Sequence, residues 1–149
     1  MLKKLNEFTP EEFESQKHPF SIKRLSTTIG AELHDIDLTK DLSKEEIGHI
    51  YNALLTYKVI FFRDQNITTE EHLRFGQYFG ELEIHPFAPL GTNREDHPEV
   101  LRITHDEENK PKENAWHSDV TWRQEPSLGS ILRMIETPPV GGDTLFASM

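Results

Sequence analysis

A chain of 149 residues with 35% hydrophobic content is the size of one ordinary domain and carries enough apolar side chains for a core. Its 26 acidic and 16 basic residues give a formal net charge of -10, which argues against nucleic acid or an anionic membrane surface as a partner. The absence of cysteine excludes disulfides, thiolate catalysis and zinc-thiolate sites. The acidic residues after Lys3 and Lys4 interrupt any signal-peptide core, and the longest apolar run, Val59 to Phe62, is far too short for a membrane span. A cytoplasmic location is therefore expected.

Residues 1–20 mix charges with Phe8, Phe13 and Phe20 without a period, and read as an irregular lead-in. Apolar and polar residues alternate from Phe20 to Leu25 and again from Gly30 to Leu38, the pattern of two paired strands. Ser43 with Glu46 forms a capping box, and Ile47, Ile50, Tyr51, Leu54 and Leu55 then recur at helical spacing. That spacing predicts a helix over about 44–57, with a buried strand, Val59 to Phe62, directly after it.

Thr68 and Glu71 make a second capping box for a helix carrying Leu73, Phe75, Tyr78 and Phe79, with Gly80 placed to end it in a left-handed conformation. Short strands are expected at 81–84 and 100–104, separated by a loop containing Pro86, Pro89, Gly91 and Pro98. The charged, non-periodic stretch 106–113 reads as solvated. Further strands are expected at about 116–121, 130–136 and 143–147, so the chain as a whole reads as α+β with a mainly antiparallel sheet.

Within the first of these late strands, Trp116-His117-Ser118-Asp119 places an imidazole and a carboxylate on one face. Such a pair supplies two thirds of a 2-His-1-carboxylate triad, which holds Fe(II) and leaves open positions for cosubstrate and oxygen. The same spacing also suits a hydrogen-bonded surface pair. Trp116 and Trp122, each an odd number of positions from His117, are expected to face away from a metal and into packing. Arg63 is expected to be a salt-bridging turn residue, and His18, His34, His49, His72, His97 and His105 are expected on the surface.

The His-x-Asp pair is followed by Ser127-Leu128-Gly129-Ser130-Ile131-Leu132 and by Thr137-Pro138-Pro139-Val140-Gly141-Gly142-Asp143-Thr144. Val59-Ile60-Phe61-Phe62-Arg63-Asp64-Gln65 and Phe79-Gly80-Glu81-Leu82-Glu83-Ile84-His85-Pro86 precede it. In order and spacing these segments resemble the TauD/TfdA-like family of Fe(II)/2-oxoglutarate-dependent dioxygenases, from about residue 20 to the end. The resemblance implies a double-stranded β-helix, a jelly-roll-like oxygenase core with flanking helices. It also implies Fe(II) as cofactor, and 2-oxoglutarate and O2 as cosubstrates.

By that resemblance His117 and Asp119 are metal ligands. The carboxylate favours oxygenation over the halogenation of relatives with a small residue there. Thr144 matches a threonine that helps bind the distal carboxylate of 2-oxoglutarate, although Gly141-Gly142 taken alone would favour an ordinary hairpin. His85 matches a substrate-binding histidine that contacts a sulfonate in taurine-type members. Ala88 and Glu113 replace a tyrosine and an asparagine that touch substrate in those members, which disfavours taurine. The implied substrate is a small anion: another sulfonate, an alkyl sulfate ester or an aryloxy-carboxylate.

The family's second ligand histidine and its 2-oxoglutarate-binding arginine lie beyond the matching residues, and neither His nor Arg follows Arg133. Residues 1–149 are accordingly expected to be the N-terminal part of a single dioxygenase domain, truncated and inactive alone, with homo-oligomerisation of the full-length protein left open. The alternatives are a non-catalytic β-sheet binding or assembly fragment without a complete metal site, and a cupin-like metal hydrolase.

Overall fold

A computed structural model describes residues 8–84, 93–94, 97–105 and 115–148. They divide into two compact units, residues 1–79 with 136–149, and residues 80–135.

The first unit opens with helix α1 (Pro10–Glu14), which falls inside the expected irregular lead-in. Its start signal is local: the Thr9 hydroxyl accepts from the Glu12 amide at 3.2 Å, the Thr9 amide donates to the Glu12 carboxylate at 2.9 Å, and Pro10 occupies the first helical turn. The helix is too short to show apolar periodicity, so only the capping box marks it. Fully buried Phe13 anchors it to the core.

Strands β1 (Ser21–Arg24) and β2 (Ala31–His34) pair antiparallel with Ile22 opposite Leu33 and Lys23 opposite Glu32. Gly30 makes the turn into β2 at φ 89°, while its amide donates to Tyr57 O at 2.9 Å. Helix α2 (Lys44–Tyr57) then crosses to strand β3 (Ile60–Phe61), which joins β2 in parallel to give the order β1-β2-β3. Both ends of α2 follow from sequence. Ser43 and Glu46 cap its start as expected, and Ile50, Ala53 and Tyr57 lie on the buried stripe that packs on the sheet.

Helix α3 (Thr69–Gln77) begins with the expected Thr68–Glu71 box, and Phe75 packs edge-on against Phe62 and Phe79. It closes at Tyr78 in the right-handed region, so Gly80, at φ 158°, is not the left-handed cap. Gln65 braces the loops. Its side-chain oxygen accepts from the Leu38 amide at 2.9 Å, and its amide group donates to the carbonyls of Ile36 and Arg63 at 3.0 Å.

In the second unit β4 (Asn93–Arg94) and β5 (His97–Leu101) form an antiparallel ladder, so the strand expected at 100–104 lies a few residues earlier. The strands expected at 81–84, 116–121, 130–136 and 143–147 do not form. A strand exists only through its ladder. Between 115 and 148 the backbone-to-backbone bond recorded among the described residues is a turn, Arg123 N to Val120 O at 3.2 Å. The described residues are thus α+β with an open three-stranded sheet and a two-stranded ladder, and close no barrel.

Candidate metal centre

Asp119 enters a tight turn at Val120, whose φ of 53° is unusual for a β-branched residue. This breaks the alternation that would have set His117 and Asp119 side by side on a strand, yet the turn brings them together by another route. His117 Nε2 lies 3.3 Å from Asp119 Oδ1, with the two side chains 64% and 62% exposed. His117 Nδ1 lies 2.9 Å from the Ala115 carbonyl, which can only accept, so Nδ1 carries the proton and Nε2 presents its lone pair beside the carboxylate. That is the arrangement in which a backbone carbonyl fixes the tautomer of a metal-binding imidazole.

Around the pair, the Ser130 hydroxyl stands 3.5 Å from the other carboxylate oxygen, Asp119 Oδ2. Glu83 pairs with Arg123 and accepts from Ser127, which ties the turn to residue 83. Sequence reasoning missed the Ala115 carbonyl and Ser130. A backbone oxygen carries no sequence signal, and a contact eleven residues away depends on the turn. Trp116 and Trp122 are 71% and 65% exposed rather than packed, and the Arg123 guanidinium sits 5.3 Å from the Trp122 ring centroid.

The donor set suits Fe(II): neutral imidazole nitrogen and carboxylate oxygen, with the imidazole orientation held from behind. Among the described residues no third His, Asp or Glu completes a cluster. His85, with Ala88 and Glu113, lies outside the described residues. Thr144 belongs to the first unit, where Gly141 and Gly142 both take positive φ, 79° and 74°, as a type I′ turn requires. No ladder flanks that turn. Phe146, two residues on, meets Phe61 edge to face at 6.2 Å.

Arg63 is the salt-bridging residue expected. Its Nε donates to Glu32 at 3.0 Å, and Lys23 and His34 each approach the same carboxylate within 3.2 Å. Arg63 first, then Lys23, holds the Glu32 carboxyl below the usual carboxylate range. The Glu32 side chain is 9% exposed, so this cluster settles a charge within the sheet rather than offering a carboxylate for catalysis.

Residues 21–149 match the model of the Taurine catabolism dioxygenase TauD, TfdA family. The chain belongs to this family. An alkylsulfatase of Acinetobacter baylyi is 34% identical over 128 residues, which cover 85% of this chain and 39% of that protein. An alpha-ketoglutarate-dependent sulfate ester dioxygenase of Pseudomonas putida is 33% identical over 142 residues, 93% of this chain and 43% of that protein. The solved structure of a taurine dioxygenase from Burkholderia xenovorans superposes with a TM-score of 0.50 and 43% identity, over 55% of this chain and 29% of that one. The chain thus spans about two fifths of the length of these curated relatives. No helix among the described residues is long and apolar enough to cross a membrane.

Proposed function

We propose that residues 1–149 form the N-terminal part of one TauD/TfdA-type domain, a double-stranded β-helix, in an Fe(II)/2-oxoglutarate-dependent dioxygenase. Its substrate is a small anion, with a sulfate ester ahead of a sulfonate or an aryloxy-carboxylate. The observation that carries this reading is the pinned His117 imidazole, presenting Nε2 to Asp119 at 3.3 Å inside the family-matched residues. The two curated relatives favour the sulfate ester, since one is named an alkylsulfatase and the other a sulfate ester dioxygenase.

In the proposed reaction 2-oxoglutarate, O2 and substrate become succinate, CO2 and hydroxylated substrate, one oxygen atom entering succinate and one the C–H bond. Fe(II), when bound, supplies the activation of O2 that couples the two oxidations. His117 and Asp119 hold the metal, and Ala115 keeps the imidazole in the ligating tautomer. Thr144 donates its hydroxyl to the distal carboxylate of 2-oxoglutarate, and His85 binds the anionic group of the substrate. Hydroxylation at the carbon bearing the ester oxygen leaves an unstable product that releases sulfate.

A second reading, a non-catalytic binding or assembly fragment, draws on the absence of a third ligand and of late strands among the described residues. One experiment separates the two. The protein made from its complete reading frame is supplied with Fe(II), 2-oxoglutarate and O2 across alkyl sulfates, sulfonates and aryloxyacetates. Substrate-dependent succinate formation supports the dioxygenase, and its absence throughout the panel supports the fragment. The 149-residue chain alone is expected to form no succinate.

A further inference from the structure

His18 and His49 face each other nitrogen to nitrogen in the first unit, far in sequence from the candidate metal pair. His18, in the linker between α1 and β1, places Nδ1 3.1 Å from Nδ1 of His49 on α2. His18 Nε2 lies 2.7 Å from the Phe13 carbonyl, so Nε2 carries the proton and Nδ1 presents a lone pair to His49. The rings stand nearly perpendicular at 87°, with the Phe13 ring centroid 4.3 Å from that of His18 and Phe20 stacked against His18 at 5.7 Å. Both imidazoles are half-buried, and His49 Nε2 has no partner among the described residues.

We propose that His18 and His49 form a chelating site for a divalent transition-metal ion of the copper or nickel kind, which staples the N-terminal linker to α2. The geometry matches in three respects. Two metal–nitrogen bonds of about 2.0–2.1 Å that span 3.1 Å subtend about 95–100°, the cis angle of a tetragonal or octahedral ion rather than a tetrahedral one. The Phe13 carbonyl supplies the outer hydrogen bond that fixes a ligand tautomer. A cavity of about 330 Å³ lined by Glu14, Gln16, His18, Phe20 and Ile22 opens beside the His18 ring and gives a path to it. Glu14 is not a ligand, because Arg24 and Tyr57 hold both of its oxygens. The ion displaces the proton shared by the two Nδ1 atoms, and the site joins a residue before the family-matched region, His18, to one inside it, His49.

The test uses the 149-residue chain, free of any tag, titrated separately with Cu(II), Ni(II) and Zn(II) by calorimetry. Paramagnetic broadening by Ni(II) is read on assigned amides of the same sample. The expected result is nickel broadening centred on residues near His18 and His49, with affinity at that site falling from copper to nickel to zinc. His49→Gln keeps a hydrogen-bonding partner for His18 and should weaken nickel binding at that site at least about tenfold. Equal nickel affinity in wild type and His49→Gln, or broadening confined to residues away from α1 and α2, overturns the proposal. The broadening on the wild-type chain decides the matter even if the variant fails to fold.

Discussion

Residues 8–79 and residues 115–148 come from the same chain and the same family match, yet they solve opposite problems. In the first stretch each local signal finds a partner: three capping boxes start three helices, and alternating strands pair in register. In the second, apolar residues such as Leu132, Ile135 and Leu145 stand exposed, and the backbone bonds that would make strands are missing among the described residues. Pattern becomes structure only where a partner is at hand. The candidate ligands sit in the stretch without partners, where a turn and one carbonyl hold them.

That contrast can be broken experimentally. The largest effect is expected from His117→Ala in the protein from its complete reading frame: succinate formation should fall by more than about a hundredfold, beyond the usual cost of losing an outer-shell contact. Turnover within tenfold of wild type would remove His117 from the metal. In the packed region, Ile50→Ala should destabilise the fold by about 2–5 kcal/mol in urea, because Ile50 is fully buried beneath the sheet. Ile135→Ala, at a residue 71% exposed in the 149-residue chain, should change that chain's stability by less than about 0.5 kcal/mol. Comparable costs at the two isoleucines would mean that the exposed stretch is packed after all.

How much was legible in the sequence follows the same division. The two longer helices and the first strand pair could be read because capping boxes and short-range alternation are self-contained signals. Helix α1 was hidden by its length, although Thr9-Pro10-Glu11-Glu12 carried the same cap. The late strands were misread because β propensity around Val120 and Ile131 says nothing about whether a neighbouring strand exists. His117 and Asp119 were readable as a pair from their spacing, but on a strand rather than a turn. The half-buried meeting of His18 and His49, 31 residues apart, lay beyond any local pattern.

Two smaller effects sharpen the picture of the packed region. Ser43→Ala should cost about 1 kcal/mol in urea by removing the acceptor for the Glu46 amide. Acid should act through carboxylates held low in the fold. The Asp37 carboxyl is lowered to about 2 by hydrogen bonds from the Thr39 hydroxyl, Lys40 and the Thr39 amide, and Arg24 and Arg63 depress Glu14 and Glu32. Unfolded carboxylates titrate near about 4, so this stabilisation is complete above that pH and is lost as pH falls through the folded values. Circular dichroism should therefore hold steady from neutral pH to about 4.5 and decline toward pH 2; helix loss beginning above pH 5 would assign acid sensitivity to other groups.

Both tryptophans of the chain, Trp116 and Trp122, flank the candidate ligands, while its three tyrosines, Tyr51, Tyr57 and Tyr78, lie on or beside α2 and α3. Indole emission from this molecule therefore originates wholly beside the candidate ligands, and the packed helices emit only as tyrosine. Excitation at the red edge should report metal entry and turn closure without contamination from the core. Red-edge emission alone would also miss unfolding of the helices, which tyrosine emission or circular dichroism must follow.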